Sequence, residues 1–316
     1  MKYIKKLSSK LLLALGVIIL SVIVWQVIVS KRVIGDTVKI KQVQSIEQIH
    51  ELLKTGELKT YHSIPNRPFS KIKLNGVDVQ ILKGNEYAVY VSDYCKRYVE
   101  VMTNEDELFL NLPNKSSIDT HNVPVLIFMP EDPQQVYCTK SYYFKIHGFK
   151  GENTLLFCEG KETQMRIITD MPYINVNQKD SYLDIYISGL DSMLKINHVQ
   201  MNVHAENSVF NLDDRISDSI NVDIQLQESV IGELKINSES KVRALSLQGT
   251  LLDKKDDYDY RNIDKMNINY PGQCDSLLIQ LTSAPGNAKQ LFLSKGLSGR
   301  FENIDCSDNV IIVRDE

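Results

Sequence analysis

Ile220-Asn221-Val222-Asp223-Ile224-Gln225-Leu226 places an apolar side chain at every second position and a polar one between. A strand turns successive side chains to opposite faces, so this stretch has one buried face and one wet face. The alternation runs backward through Met201 and Val203, Ile196, and Leu183, Ile185 and Ile187. It runs forward through Leu234 and Ile236 to Leu245 and Leu247. Earlier it recurs at Ile72 and Leu74, Val77 to Ile81, Tyr87 to Val91, Val99 and Val101, Leu108 to Leu112, and Val123 to Met129. A final group comprises Met266 and Ile268, Leu277 to Leu281, Leu291 and Leu293, and Val310 to Val313. Short strands at this density, separated by polar turns, predict an all-β domain.

Two architectures accommodate such strands, a β-sandwich and a solenoid of stacked coils. Two echoes favour the solenoid. Val136-Tyr137-Cys138 returns twenty residues later as Leu156-Phe157-Cys158, and Leu194-Lys195-Ile196-Asn197 returns forty later as Leu234-Lys235-Ile236-Asn237. Periods of about 20 to 50 residues mark stacked repeats. Gln178 stands where a third Cys of the first series belongs. A twenty-residue coil puts Cys138 and Cys158 on adjacent rungs about 4.8 Å apart, within reach of a disulfide or as two stacked buried thiols.

Leu11 to Val29 is nineteen residues without a charge. As a helix it spans roughly 28 Å, matching a hydrocarbon core about 30 Å thick. Lys2, Lys5, Lys6 and Lys10 precede it and only Lys31 and Arg32 follow closely, which favours a cytoplasmic N-terminus and an exported C-terminus, periplasmic or extracellular. The run exceeds the usual h-region and lacks a small-residue cleavage site after it, so an uncleaved signal anchor is preferred to a cleaved signal peptide. The expected organisation is a cytoplasmic tail over 1–10, a transmembrane anchor over 11–29, a juxtamembrane spacer over 30–68, and an exported all-β domain over 69–316. Within the spacer, Ser45 and Gln48 have capping-box spacing before Ile46, Ile49, Leu52 and Leu53, and Gly56 follows, predicting one short helix.

After Arg32 there are thirty basic residues against forty acidic ones, a formal charge of −10. An acidic domain with scattered lysines has no overall footprint for nucleic acid or anionic lipid. Five cysteines, none in a Cys-x-x-Cys pair, argue against a zinc ribbon or a thioredoxin-like site.

The stretch from Phe69 to about Leu112 resembles the opening of the auto-transporter adhesin head (GIN) domain family. The residues that carry it are Ile72-Lys73-Leu74-Asn75-Gly76, Val77 to Ile81, Lys83-Gly84-Asn85, Val89 to Val91, and Leu108 to Leu110, followed by an apolar strand ending at Pro130. The resemblance extends over roughly 69–250. It implies a right-handed parallel β-helix-like domain, exported by envelope-bearing bacteria, with no established biochemical activity. The family's later strands are rich in Gly, Ser and Asn, whereas this chain has 15 Gly in all and places Leu190, Met193 and Phe210 there.

Asp213-Asp214-Arg215, with Asp218 and Asp223 near, is the densest acidic group, and glycoside chemistry uses paired carboxylates. Adjacent aspartates in a loop more often form Asx turns or face water, and no His, Arg and acid set recurs at coil spacing. In the 253–264 loop, Asp253, Asp257, Asp259 and Asp264 sit at hand-loop positions. Lys255 at position three and Tyr258 in place of Gly fail that pattern for calcium. His198 and His204 share a parity without further ligands. No catalytic, cofactor-binding or metal residues are therefore assigned and no cofactor is expected. The expected function is a membrane-anchored structural or interaction module of the cell envelope, with an envelope glycan or envelope protein as partner. The alternative is a glycan-binding or polysaccharide-degrading protein, which needs a groove bearing Asp213, Asp214 or Asp223 beside exposed Tyr rings.

Overall fold

The computed structural model describes residues 2–42, 45–64, 66–113, 124–140, 143–160, 164–190, 194–252, 263–283 and 288–314. The described residues are all-β apart from two N-terminal helices. Helix α1 (Lys2–Gln42) contains one segment, Ala14–Asp36, long and apolar enough to cross a membrane. Leu15, Ile18, Leu20, Ile23 and Trp25 on it are exposed to at least half of their surface. The helix does not stop where the apolar run does. Residues 30–42, expected as polar spacer, continue it, and Asp36 and Ile40 are buried against the β-domain. Helix α2 (Ile46–Lys54) begins as the sequence predicts: Ser45 Oγ accepts from the Gln48 N–H at 3.3 Å, and the helix ends before Gly56. Its Ile49 is fully buried.

The N-terminal strands are β1 (Tyr61–Ile64), β2 (Lys71–Asn75), β3 (Val79–Lys83), β4 (Ala88–Ser92), β5 (Glu100–Asn104), β6 (Glu107–Asn111) and β7 (Val125–Met129). There follow β8 (Gln135–Thr139), β9 (Tyr143–His147), β10 (Leu155–Glu159), β11 (Gln164–Thr169), β12 (Tyr173–Lys179), β13 (Tyr182–Ile187), β14 (Val199–Glu206) and β15 (Val209–Asp214). The last are β16 (Ser219–Lys235), β17 (Lys241–Leu251), β18 (Lys265–Asn269), β19 (Gln273–Thr282), β20 (Lys289–Leu293), β21 (Ser298–Cys306) and β22 (Val310–Arg314).

From β8 onward the chain alternates between two ladders of parallel strands. The first runs β6, β2, β8, β10, β12, β14, β16, β17, β19, β21. The second runs β7, β3, β9, β11, β13, β15, β16, β18, β20, β22. Antiparallel pairing among the described strands is confined to β1 with β4, β4 with β7, and β5 with β6, all at the N-terminal end. Strand β16 serves both ladders, its first half in one and its second in the other. The sequence reading, which separated Ile220–Leu226 from Leu234 and Ile236, saw two strands where there is one.

The twenty-residue echo is a true register: Val136 pairs with Leu156 and Cys138 with Cys158, and Gln178 sits one rung further on. The forty-residue echo is not. Residues 194–197 lie outside the named strands and contribute a single bridge from Ile196 to Ser217, while Leu234 pairs with Leu212 and Ile268.

Inward side chains stack into columns. One runs Leu110, Leu74, Cys138, Cys158, Gln178, Ala205, Leu226, Gly249, Leu281 and Cys306. Burying each Leu, Ile or Val of such a column contributes roughly 1.5–3 kcal/mol. A row of buried serines is partnered locally at one corner between the ladders. Ser181, Ser208 and Ser229 are fully buried. The Ser208 hydroxyl accepts from Ser181 N–H and the Ser229 hydroxyl from Ser208 N–H, while all three donate to backbone carbonyls. This corner thus satisfies backbone groups that the ladder hydrogen bonds leave over.

Cys138 and Cys158 are thiols, both buried. Burial pushes Cys138 well up and Cys158, Cys274 and Cys95 up to about 12. Cys306 is the one half-buried thiol, and burial raises it as well. Native alkylation near pH 8 is expected to add one label, at Cys306, and denaturation to add the rest; intact mass reads both. These raised values also set a pH dependence. Unfolded thiols ionise near 9 and the folded ones resist, so stability is level below that pH and falls between about 9 and 12. Extensive native labelling at Cys138 or Cys158 would contradict this packing.

Candidate functional site

The Asp213-Asp214 pair is split by strand parity. Asp214 points inward and is buried. Its Oδ1 accepts from the N–H groups of Ile216 (3.3 Å) and Ser217 (3.1 Å), and its Oδ2 from the hydroxyls of Ser217 and Ser240. The carboxylate closes a corner and is unavailable for chemistry. Asp218 lies on the following turn, 3.9 Å from Lys195 Nζ. Asp223 stands on the other ladder, where it accepts from Gln225 Nε2 at 3.1 Å. The acidic cluster suggested by the sequence is therefore not assembled.

Asp213 does face a groove. It lies on the outer face of the second ladder and encloses about 250 Å³ between β13, β15 and the second half of β16. Tyr182, Asp184 and Tyr186 line it from alternate positions of β13, Asn211 and Asp213 from β15, and Glu233 and Lys235 from β16. Tyr186, Asp213 and Lys235 form one row across three rungs, as the strand register requires. A register shift opens β16 against β15 between Phe210 and Leu212. Gly232 fills the gap, because a Cβ there would lie 2.2 Å from Asn211 Oδ1. The Asn211 amide is thereby fixed: its oxygen accepts from Glu233 N–H at 2.7 Å, and its nitrogen donates to Tyr182 Oη (2.8 Å) and Asp184 Oδ1 (2.9 Å).

Cations offset the groove's carboxylates. Arg215 donates from Nε (2.9 Å) and Nη2 (2.6 Å) to Asp213 Oδ2, which raises the guanidinium above its ordinary value. Arg166 Nη2 lies 3.7 Å from Asp184 Oδ2. Both guanidiniums sit over the Tyr186 ring, at 5.0 and 5.3 Å from its centre. Burial and the neighbouring Asp184 push the Tyr182 phenol up to about 12, so it is neutral and a donor at physiological pH. Asp213 Oδ1 is buried and has no hydrogen-bond partner among the described residues. A buried acceptor left in that state costs about 1–3 kcal/mol, which a ligand donor can recover.

The other candidates do not converge. His198 Nδ1 is 2.9 Å from Ser219 Oγ, and His204 is exposed, on a row between Asn177 and Gln225. Asp253, Asp257 and Asp259 fall outside the described residues; Asp264 is held by Lys289 Nζ at 3.0 Å. Among the described residues no three His, Cys, Asp or Glu side chains are grouped to hold a metal ion. The sequence reading missed Tyr182, Asp184, Tyr186, Asn211, Glu233 and Lys235. The signal was present in the polar positions of the alternating runs, but became a site only when unequal intervals brought three rungs side by side.

No protein family matches the chain, and no curated protein does. Among solved structures, it is similar to a candidate adhesin from Bacteroides fragilis, with 9% identity over 81% of this chain and 96% of that one and a TM-score of 0.32. A candidate adhesin from Parabacteroides merdae matches with 11% identity over 81% and 95% and a TM-score of 0.34. One from Parabacteroides distasonis matches with 13% identity over 80% and 96% and a TM-score of 0.32.

Proposed function

We propose that this chain is a membrane-anchored module of the bacterial cell envelope that binds an envelope glycan through the groove on its second ladder and catalyses no reaction. In this reading α1 is an uncleaved span with its N-terminus in the cytoplasm. The two ladders wind as a right-handed β-helix-like solenoid of the GIN type, divergent in its later coils. A solenoid holds outward side chains on fixed rows, which suits a binding face.

The observation that carries the glycan reading is the groove's lining. Tyr182, Asn211, Asp184 and Lys235 offer neutral and charged hydrogen-bonding groups, and Asp213 Oδ1 is a buried acceptor that a sugar hydroxyl satisfies. At about 250 Å³ the groove is smaller than the roughly 300–1,000 Å³ of drug-sized pockets, a size for one or two sugar rings. Hydrolysis is disfavoured because Asp213 and Asp184, the groove's paired carboxylates, are each engaged by an arginine.

The test is a glycan array with the full-length protein in detergent micelles, followed by titration of any retained oligosaccharide. Asn211→Ala and Tyr186→Ala are each expected to weaken binding about tenfold, the effect of losing about 1.4 kcal/mol. Asp223→Asn on the opposite ladder is expected to leave it unchanged. Equal binding by all three variants, or no retained glycan, would refute the site.

A further inference from the structure

Helix α1 is tied to the β-domain through a buried polar chain. Asp36 Oδ2 accepts from Thr60 N–H at 2.8 Å and from Thr60 Oγ1 at 2.7 Å. Thr60 Oγ1 is 3.5 Å from Ser92 Oγ, and the Thr60 carbonyl accepts from Asp93 N–H at 2.8 Å. Asp36, Thr60 and Ser92 are all buried. The turn that begins at Asp93 is thus fixed to the helix. It is also closed on itself: Cys95 and Lys96 N–H donate to the Ser92 carbonyl, and Tyr98 and Val99 N–H to the Cys95 carbonyl, each at 2.9 Å. Cys95 and Val99 point inward, while Tyr94 (42%), Tyr98 (47%), Lys96 and Arg97 are exposed.

The level of this turn relative to the apolar run follows from α1. Val29, the last residue of that run, packs against the domain core. Asp36 is seven residues further on, roughly 10 Å along the axis. The headgroup layer is about 5–8 Å deep on each side of the hydrocarbon. A turn held at Asp36 therefore stands just outside that layer, which long Tyr, Lys and Arg side chains reach from an interfacial position. Its composition fits the position: tyrosines partition to the interface, and each basic residue near an anionic surface contributes about 1 kcal/mol. Lys96 and Arg97 on the turn and Lys59, next to Thr60, are exposed on an otherwise acidic domain, and Asp93 lies 3.0 Å from His62 Nε2.

We propose that the Asp93–Tyr98 turn docks on the anionic phospholipid headgroups of the membrane that α1 crosses, seating the β-domain on the bilayer. The proposal rests on α1 being a span, so its test reads the two separately. The chain has one tryptophan, Trp25. Full-length native protein, and a double variant carrying Trp25→Phe and Tyr98→Trp, are reconstituted into vesicles of phosphatidylcholine with phosphatidylglycerol. The vesicles carry bromine either near the headgroup or deep in the acyl chains. The native protein reports on the helix, and the double variant, whose single indole is at position 98, reports on the turn.

Trp25 is expected to be quenched in brominated vesicles, and the indole at position 98 by headgroup-proximal bromine to a comparable extent. Adding Lys96→Glu and Arg97→Glu to the double variant is expected to restore the emission from position 98, as is high salt. Quenching of Trp25 without quenching at position 98 overturns the docking and leaves the anchor standing. Unquenched Trp25 overturns the anchor reading, and the docking falls with it.

Discussion

Gly249→Ala is expected to cost about 3 kcal/mol of unfolding free energy, the sum of left-handed backbone strain and overpacking. Gly249 has a φ of +127° and lies in the inward column between Leu226 and Leu281. A Cβ there would sit 1.9 Å from the Leu226 carbonyl oxygen and 2.8 Å from its carbon. Those are backbone atoms of the neighbouring rung, which cannot move aside as a flexible side chain does. The strain cannot be relieved without separating β16 from β17, whose pairing already shifts register beyond Leu226. Urea unfolding followed by circular dichroism checks the value. A midpoint indistinguishable from the native chain would show that this rung tolerates a side chain.

Asp214→Ala is expected to be destabilising by about 3–5 kcal/mol, since each buried donor left without its acceptor costs about 1–3 kcal/mol. The substitution strands two backbone N–H groups in a buried corner, while the Ser217 and Ser240 hydroxyls keep each other and the Ser217 carbonyl. Asp214→Asn is expected to lose less, since its carbonyl still accepts from the two N–H groups. The sharpest control is the preceding residue. Asp213→Ala removes both a pairing with the exposed Arg215 and the unpartnered Oδ1, two opposing effects, and is expected to change stability by about 1 kcal/mol at most. Equal losses at 213 and 214, measured in the same urea series, would contradict the assignment of one side chain to the corner and the other to the groove.

That pair also shows where the sequence could be read and where it could not. Alternation in Leu183–Ile187 and Ile220–Leu226 identified strands and their buried faces, because period two is a local property. The Ser45 cap of α2 and the Cys138–Cys158 register were equally local. Strands β9 and β11 passed unnoticed, since Phe144 and Ile146, or Met165 and Ile167, are too few in runs of five or six residues to stand out. The groove was beyond local reading. Asp184 meets Asn211 across twenty-seven residues and Asp213 meets Lys235 across twenty-two, so no fixed period aligns them. Likewise, nothing in the polar residues after Val29 signalled that Asp36 would be buried under Thr60, because the partner lies beyond a second helix.

From β8 onward the distance along the chain between paired residues varies from eighteen, for Gln164 with Tyr182, to thirty-four, for Glu233 with Asn267. The ladders persist nonetheless, because the surplus is placed at the corners. A residue gained within a strand reverses the facing of everything after it up to the next corner, whereas one gained at a corner disturbs nothing already stacked. Such a chain therefore lengthens most readily at its corners, the in-strand shift beside Gly232 being accommodated by the missing side chain.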